Sequence, residues 1–587
     1  MEKKKNTARE AVSILRGLVS DRSYSFVATI AICHAKRAAL SHFNADISCS
    51  DDIIGNLIEA VRENDKDGRI VSLVGEVFAS GRYFANPEEA VRKVYGMFPD
   101  DSDELAKIIL DIELEEDLAS RLMRYDGITP RSVAELAVKV LDIADGNSVA
   151  DFGTGTGSFL VRASREADCE LVYGCDVNST SVAIAKMRAE VMGSTAVVEQ
   201  ADMFHIDGMF DRCFSNYPFV MKMGGFKDKV LELLGLQGYE GIPRFQSSDW
   251  LFNLQLVSRL KEGGKAVGVM TRGSSYNGAD EKIRHHFIEN GWVEAVIALP
   301  EGMFSPYSGI PTTMIILSKG NEEVRLIDAS GLCQKSRRET TFSDDDIANI
   351  MRLLSEDSDG LSKRVAYKEL ADDGFILNPE WHLGETIEVR DGISIENLSL
   401  KITRGSGWGK KQLEEFNSNT PTEFKYLMLQ NIVDGEIEDD LPCLTEIDSS
   451  QDKYCIKDGD LLLSKIGPNF KVAVANVPDG EKVLATGNLY IISFDQEKVD
   501  SRYVKLYLDT DQGAAQLRRA CVGTTMPSIP TKAFGDILIP MVNLDEQAKI
   551  IERYEELRRE IAIHKTAIDK ARKKIASLLD EGQEKLV

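Results

Sequence analysis

The sequence predicts an α/β protein built on a Rossmann-like, doubly wound sheet, with a helical domain ahead of it and an α+β domain and a long helix behind it. Three observations predict this. From "NSVADFGTGTGSFLVRAS" onward, short apolar strands alternate with helical segments, the pattern of a parallel sheet with crossover helices. Up to about Ser120, apolar residues recur at helical spacing, as in "AREAVSILRGLVS" and "DELAKIILDIELEEDLASRLM". Beyond "GFILNPEWHLG" the alternation gives way to β-rich text and then to "LDEQAKIIERYEELRREIAIHKTAIDKARKKIASLLDEG", which has no Gly or Pro until its end and reads as one long amphipathic helix needing a partner. At 587 residues the chain is too long for one core. The expected division is 1–120 (helical), 121–386 (α/β), 387–544 (α+β) and 545–587 (long amphipathic helix).

Composition narrows the class. A hydrophobic fraction of 43% and a charged fraction of 28% are those of globular protein. No apolar run approaches the length of a membrane span and "MEKKKNTAREAV" lacks a signal-peptide core, so a cytoplasmic protein is expected. The 9 cysteines have no C-x-x-C spacing and no histidine spacing that would complete a metal site, so no metal is expected. The net charge of -25 argues against nucleic acid as a whole-molecule rule, but a local basic cleft can coexist with acidic surfaces.

The predicted strands are "SVADFG", "ELVYGCD", "AVVEQAD", "DRCFSN", "KAVGVMT", "VEAVIALP" and "TTMIILS", and a ligand belongs at their carboxyl ends. After the first strand, Gly153, Gly155 and Gly157 allow a tight turn and close approach of a ligand. The second strand ends in Asp176, where a carboxylate can accept both hydroxyls of a ribose. The third ends in Asp202 and Met203, where Asp202 can accept from an adenine amine. Asp151 precedes the glycines and would oppose the pyrophosphate of a dinucleotide, yet suits a positively charged aminoacyl end. The ordered set indicates S-adenosylmethionine; taken singly, Asp176 and Asp202 read better as turn residues after strands.

The fourth strand runs into Asn216, Tyr217, Pro218 and Phe219. An exocyclic adenine amine is a weak nucleophile because its lone pair is delocalised into the ring. Two acceptors, the Asn216 side-chain oxygen and the main-chain carbonyl of residue 217, would hold its hydrogens and free that lone pair. Phe219 would stack on the base, which must leave a duplex to reach the site. Most of the catalysis would be positioning. Tyr217 stands where a proline is usual, so the loop is expected to lose rigidity while keeping its carbonyl. Tyr217 and Phe219 packing as a buried strand end is an equally good reading of the tetrad alone.

With these residues in view, the chain resembles the modification subunit of type I restriction-modification systems, a DNA adenine methyltransferase, from roughly Ser120 to Gly384. The resemblance rests on "DGITPRSVAELAVKVL", "EKIRHHFIENGWVEAVIALPEGMFSPYSGIPTTMIILSK", "LIDASG" and "FILNPEWHL". It implies that Thr129 and Pro130 lie beside the cofactor. This chain departs from the family pattern in "DFGTGTG", where Asp-Pro-x-x-Gly-Thr-Gly is usual, and at Tyr217. The remainder resembles half of a type I specificity subunit through "ITRGSGWGKKQL", "GDLLLSKIG" and "GTTMPSIPTKAFGDILIPMVNLDEQAKII".

The implied protein is a fused modification and specificity chain with one target recognition domain. Pairing through the terminal helix would make a homodimer acting on a symmetric, interrupted DNA site. Lys410, Lys411, Lys465, Lys471, Arg518 and Arg519 are candidate DNA contacts, though each taken singly reads better as a solvated charge. The adjacent His285 and His286 read as surface or packing residues. No helicase P-loop or nuclease motif is present, so cleavage would need a separate restriction subunit. Two other functions fit the same text: a DNA-binding protein with a silent methyltransferase domain, and a methyltransferase acting on a protein glutamine or an RNA guanine.

Overall fold

The computed structural model describes residues 2–16, 22–41, 47, 50–62, 65, 67–80, 86–112, 129–236, 241–305, 308–336, 339–358, 360–383, 389–433, 435–466, 470–521, 528–560 and 564. They form two compact units, Met1–Gly384 and Glu385–Val587.

The first unit opens with helices α1 (Glu2–Arg16), α2 (Arg22–Ser41), α3 (Ile53–Arg62), α4 (Arg69–Ser80), α5 (Pro87–Met97) and α6 (Ser102–Asp111). Their apolar faces meet in one core around Phe26, Ile30, Leu57, Val74 and Ile109. Ala183, Ile184, Met187 and Val191 join the same core from a helix of the α/β sheet layer, Ser179–Val191. The helical segment is therefore packed against the flank of the sheet.

The sheet contains β1 (Ser148–Phe152), β2 (Leu171–Asp176), β3 (Val197–Gln200), β4 (Phe210–Ser215), β5 (Leu260–Thr271), β6 (Val293–Ala298), β7 (Thr312–Leu317), β8 (Glu323–Asp328) and β9 (Ser362–Ala366). Their order is β9-β8-β6-β7-β5-β4-β1-β2-β3. All seven predicted strands are present. β1 pairs in parallel with both β2 and β4, so the chain winds outward on one side through β2 and β3 and then crosses to the other through β4 and β5. The crevice at the carboxyl ends of β1 and β4 is the switch point where ligands of such sheets bind.

Two strands depart from a parallel sheet: β7 runs antiparallel to both β5 and β6, and the edge strand β9 runs antiparallel to β8. The connection from β6, "LPEGMFSPYSGIP", carries two glycines and three prolines and, among its described residues, no crossover helix, and without one the chain returns antiparallel.

The second unit is α+β. Strands Ser399–Arg404, Leu489–Phe494, Leu461–Ser464 and Val472–Val474 form a four-stranded sheet, and Phe424–Leu427 and Lys482–Ala485 lie within a five-stranded one. Leu427, Leu462, Ala485 and Leu489 form a core with contributions from both sheets. Residues 544–560 are helical, and Ile551 is buried on this helix. Gln547 is also buried, accepting from the Asp500 amide at 3.0 Å and donating to the Val542 carbonyl at 2.8 Å. The predicted continuation to 587 lies, apart from His564, outside the described residues.

Candidate active site

The loop after β1 is built by glycines that no other residue replaces cheaply. Gly153, Gly155 and Gly157 have φ of 74°, 53° and 81°, in the left-handed region. At Gly153 and Gly155 a side chain would meet open space, so their role is conformational. At Gly157 a Cβ would lie 3.2 Å from the Ala185 Cβ, so this glycine also lets two helices close together.

Two carboxylates brace the loop. Asp151 is buried and accepts from the Thr154 hydroxyl at 2.7 Å. Burial pushes its carboxyl up to about 7, and the neighbouring Asp176 charge adds to the shift. Asp176, at the end of β2, accepts from the Gly155 amide at 2.9 Å and from the Asn178 amide at 2.8 Å. Each of its oxygens thus has a main-chain donor.

Asp202 caps a short turn by accepting from the Phe204 amide at 3.1 Å, and the buried Met203 offers its carbonyl to Gln255 Nε2 at 2.6 Å. Sequence reasoning missed Val177. Directly after Asp176, it is 62% exposed, an apolar side chain left open beside a carboxylate. The signal available was its place in "CDVN", one residue past the strand end.

The second loop leaves β4. Ser215 is buried and donates to the Phe152 carbonyl at 2.6 Å, tying the end of β4 to the end of β1. One residue on, Asn216 Nδ2 donates to Thr129 Oγ1 at 3.1 Å. The segment just before helix Arg131–Leu141, with Pro130 as its N-cap residue, is thereby held against the tetrad. Tyr217 is buried; its ring stacks on Phe252 (4.7 Å between centroids, 7° between planes) and its hydroxyl donates to Asn253 Oδ1 at 3.0 Å. Where proline would hold the backbone through φ, the Tyr217 side chain is thus held at its ring face and at its hydroxyl. Phe219 lies edge-on to Phe304 at 5.3 Å, a partner that sequence reasoning did not single out.

His285 stacks on Phe375 and His286 packs edge-on to Trp292, as packing residues. The described residues contain no cluster of metal-ligating side chains and no helix long and apolar enough to cross a membrane.

Two regions of the chain match known families. Residues 124–391 match the N-6 DNA methylase family, and residues 443–573 match the type I restriction modification DNA specificity domain. The chain thus joins a region that matches the N-6 DNA methylase family to a region that matches the type I specificity domain. The MjaVIII methylase subunit of Methanocaldococcus jannaschii is 27% identical over 297 residues, 45% of this chain and 50% of that protein. The MjaVIII specificity subunit of the same organism is 30% identical over 135 residues, 22% of this chain and 32% of that protein. The chain spans about half the length of the curated methylase relatives it matches. The crystal structure of a type I restriction-modification system methyltransferase subunit from Streptococcus thermophilus shares the fold at 19% identity. It has a TM-score of 0.50, over 64% of this chain and 98% of that one. The α/β sheet therefore has the fold of that methyltransferase subunit.

Within the specificity part, the predicted cations separate. Lys471 leaves the candidate set: its Nζ donates to the Leu429 carbonyl at 2.8 Å and the Ile432 carbonyl at 2.7 Å, so its ammonium is committed to holding a turn. Lys411 and Arg519 are exposed on helices Lys410–Phe416 and Asp511–Ala520. The side chains of Lys410 and Arg518 lie outside the described residues.

Lys465 is half-buried, and its pKa is lowered by burial and then by the charge of Arg404. Arg404, which sequence reasoning missed, donates Nε to the Gly487 carbonyl at 2.6 Å, and the Lys465 amide bonds the Asn488 carbonyl at 2.8 Å. The turn thus holds two cations together, and neither has an acidic partner among the described residues.

Proposed function

We propose that this chain transfers a methyl group from S-adenosylmethionine to the exocyclic N6 amine of adenine within a specific DNA sequence, as part of a restriction-modification or related system. The observation that carries the reading is the meeting, across β1 and β4, of the glycine loop with Asn216, whose amide is oriented by Thr129. The cofactor supplies an electrophilic methyl on a sulfonium. The residues fit it: a buried carboxylate whose ionisation is opposed by burial and by Asp176 gains most from a cationic partner, which the aminoacyl end provides. Asp151 and the loop of Gly153, Gly155 and Gly157, with Thr129 and Pro130 alongside, hold that end. Asp176 takes the ribose, and Asp202, Met203 and Val177 border the adenine.

On the substrate side, Asn216 and the carbonyl of Tyr217 accept the two hydrogens of the target amine. Pro218 fixes the backbone between them and Phe219, which stacks on the flipped base. Purified protein with labelled cofactor is expected to methylate DNA, and Asn216→Ala to lose transfer while still binding cofactor. Equal transfer by that variant would sink the mechanism.

The same proposal divides the chain at 1–120, 121–386, 387–544 and 545–587 and places it in the cytoplasm. It has two copies pair through the terminal helix, so that two recognition domains read a symmetric, interrupted site. Ile550 and Leu557, seven residues apart on one stripe of helix 544–560, are exposed and support that pairing. Arg404 and Lys465, with Lys411 and Arg519, are the assigned phosphate contacts. Cleavage belongs to a separate restriction subunit.

A further inference from the structure

We infer that the Tyr217 side chain, acting through Phe252 and Asn253, is a positioning device that aims the acceptor loop and replaces a second proline by side-chain anchorage. The inference rests on the methyltransferase reading of the Asn216 loop. Ser215 pairs with Gly268 across β4 and β5, so two residues later the chain has passed the end of the sheet and nothing in the ladder holds it. Tyr217 turns back over β5 at this point.

Three neighbours are shaped to receive it. Phe252, on helix Ser248–Ser258, lies parallel to the ring at 4.7 Å. Asn253, the next residue of that helix, is fully buried and offers Oδ1 to the hydroxyl at 3.0 Å. Gly268 supplies the space: a Cβ there would sit 2.6 Å from Asn253 Oδ1 and 3.3 Å from Tyr217 Cε1. A glycine inside a buried strand is otherwise unfavourable, and here the packing of both partners requires it.

A buried tyrosine stacked on one face and hydrogen-bonded at its tip has essentially one place to sit. Its Cα, and with it the 217 carbonyl and the adjoining Asn216, is restrained from the side-chain end. A proline at this position restrains φ but leaves the Phe252 and Asn253 surfaces unfilled. In this chain the proline is therefore the poorer residue. Tyr217 acts on the reaction through the carbonyl it places and through Asn216, and its hydroxyl takes no part in the chemistry.

The test uses the full chain and four variants. Tyr217→Phe keeps the stack and leaves Asn253 Oδ1 unpaired. It is expected to lower kcat about three- to tenfold while KM for cofactor stays within about twofold. Asn253→Leu does the same from the other side. Tyr217→Phe with Asn253→Leu removes both polar groups and is expected to recover most of the kcat lost by either alone, because no buried acceptor is then left over. Tyr217→Pro is expected to fall below all three.

Hydrogen exchange across residues 214–221, measured without substrate, gives a readout independent of activity. Exchange is expected to accelerate in both single variants and in Tyr217→Pro, and to slow again in the double variant. A Tyr217→Pro enzyme as fast as or faster than the parent overturns the inference. Single variants that melt earlier but keep kcat and loop exchange unchanged also overturn it. A parent chain with no methylation at all counts against the proposed function, and the exchange pattern still decides the anchor.

Discussion

With Asp151 at the cofactor's cationic end, as proposed, cofactor binding is expected to be a proton-linked event, and the size of the effect follows from the surroundings of the carboxyl. The carboxyl is buried and its pKa is pushed up to about 7 by that burial, with Asp176 adding repulsion and the Thr154 hydroxyl opposing it. One pH unit below that value, about ten carboxyls in eleven hold a proton; one unit above, about one in eleven. A cationic ligand end binds the ionised form, so the dissociation constant for S-adenosylmethionine is expected to weaken about tenfold between pH 8 and pH 6. Binding at pH 6 is expected to release close to one proton.

Isothermal titration in two buffers of different ionisation enthalpy reads that proton directly, and Asp151→Asn should abolish both the release and the pH dependence. The same shift has a stability consequence with a definite sign. The unfolded carboxyl ionises near pH 4 and the folded one near 7, so the folded state loses stability across that window, by roughly 4 kcal/mol in all, and none below it. The apo Asp151→Asn variant should therefore melt higher than the parent at pH 8 and with it at pH 4. Equal affinity at pH 6 and pH 8, with no buffer dependence, would refute the assignment of Asp151 to a cationic ligand end.

The remaining expectations are more local. Thr129→Val removes the acceptor 3.1 Å from Asn216 Nδ2 and should lower kcat about five- to tenfold, the worth of one hydrogen bond of about 1–1.5 kcal/mol, as single-turnover kinetics will show. Gly157→Ala places a Cβ in a left-handed residue 3.2 Å from Ala185 and should cost at least about 1–2 kcal/mol, visible as a lower Tm. Arg404→Ala and Lys465→Ala should each reduce the slope of log affinity for DNA against log salt by about one. Lys471→Ala should leave the slope unchanged and destabilise the fold. Ile550→Glu combined with Leu557→Glu should shift the sedimentation coefficient to that of a monomer.

The sheet was legible because central strands such as "SVADF" and "TTMIIL" are buried on both faces and so stand out as apolar runs between turn residues. The candidate site could be read from the sequence because a ligand of such a sheet is expected at strand ends, which follow one another along the chain. Asp176 and Asn216 could thus be named from position and chemistry before any contact was known. β7 was read as a strand but not by direction, since direction depends on the connection's path. Among the basic residues, Lys471 and Lys465 are alike in the sequence, and they separate only by what surrounds each ammonium.

Tyr217 marks the boundary between the two kinds of knowledge. Local chemistry establishes which groups are present and in what order: a glycine turn, two carboxylates, an asparagine with proline and phenylalanine, and a tyrosine where proline is usual. Those properties are covalent and short-range, so the chain carries them in any conformation. Whether that tyrosine loosens the loop or holds it depends on Phe252, Asn253 and Gly268, between 35 and 51 positions further along the chain. Stacking and hydrogen bonding act through space, and those residues reach Tyr217 only when β4, β5 and the helix between them have packed.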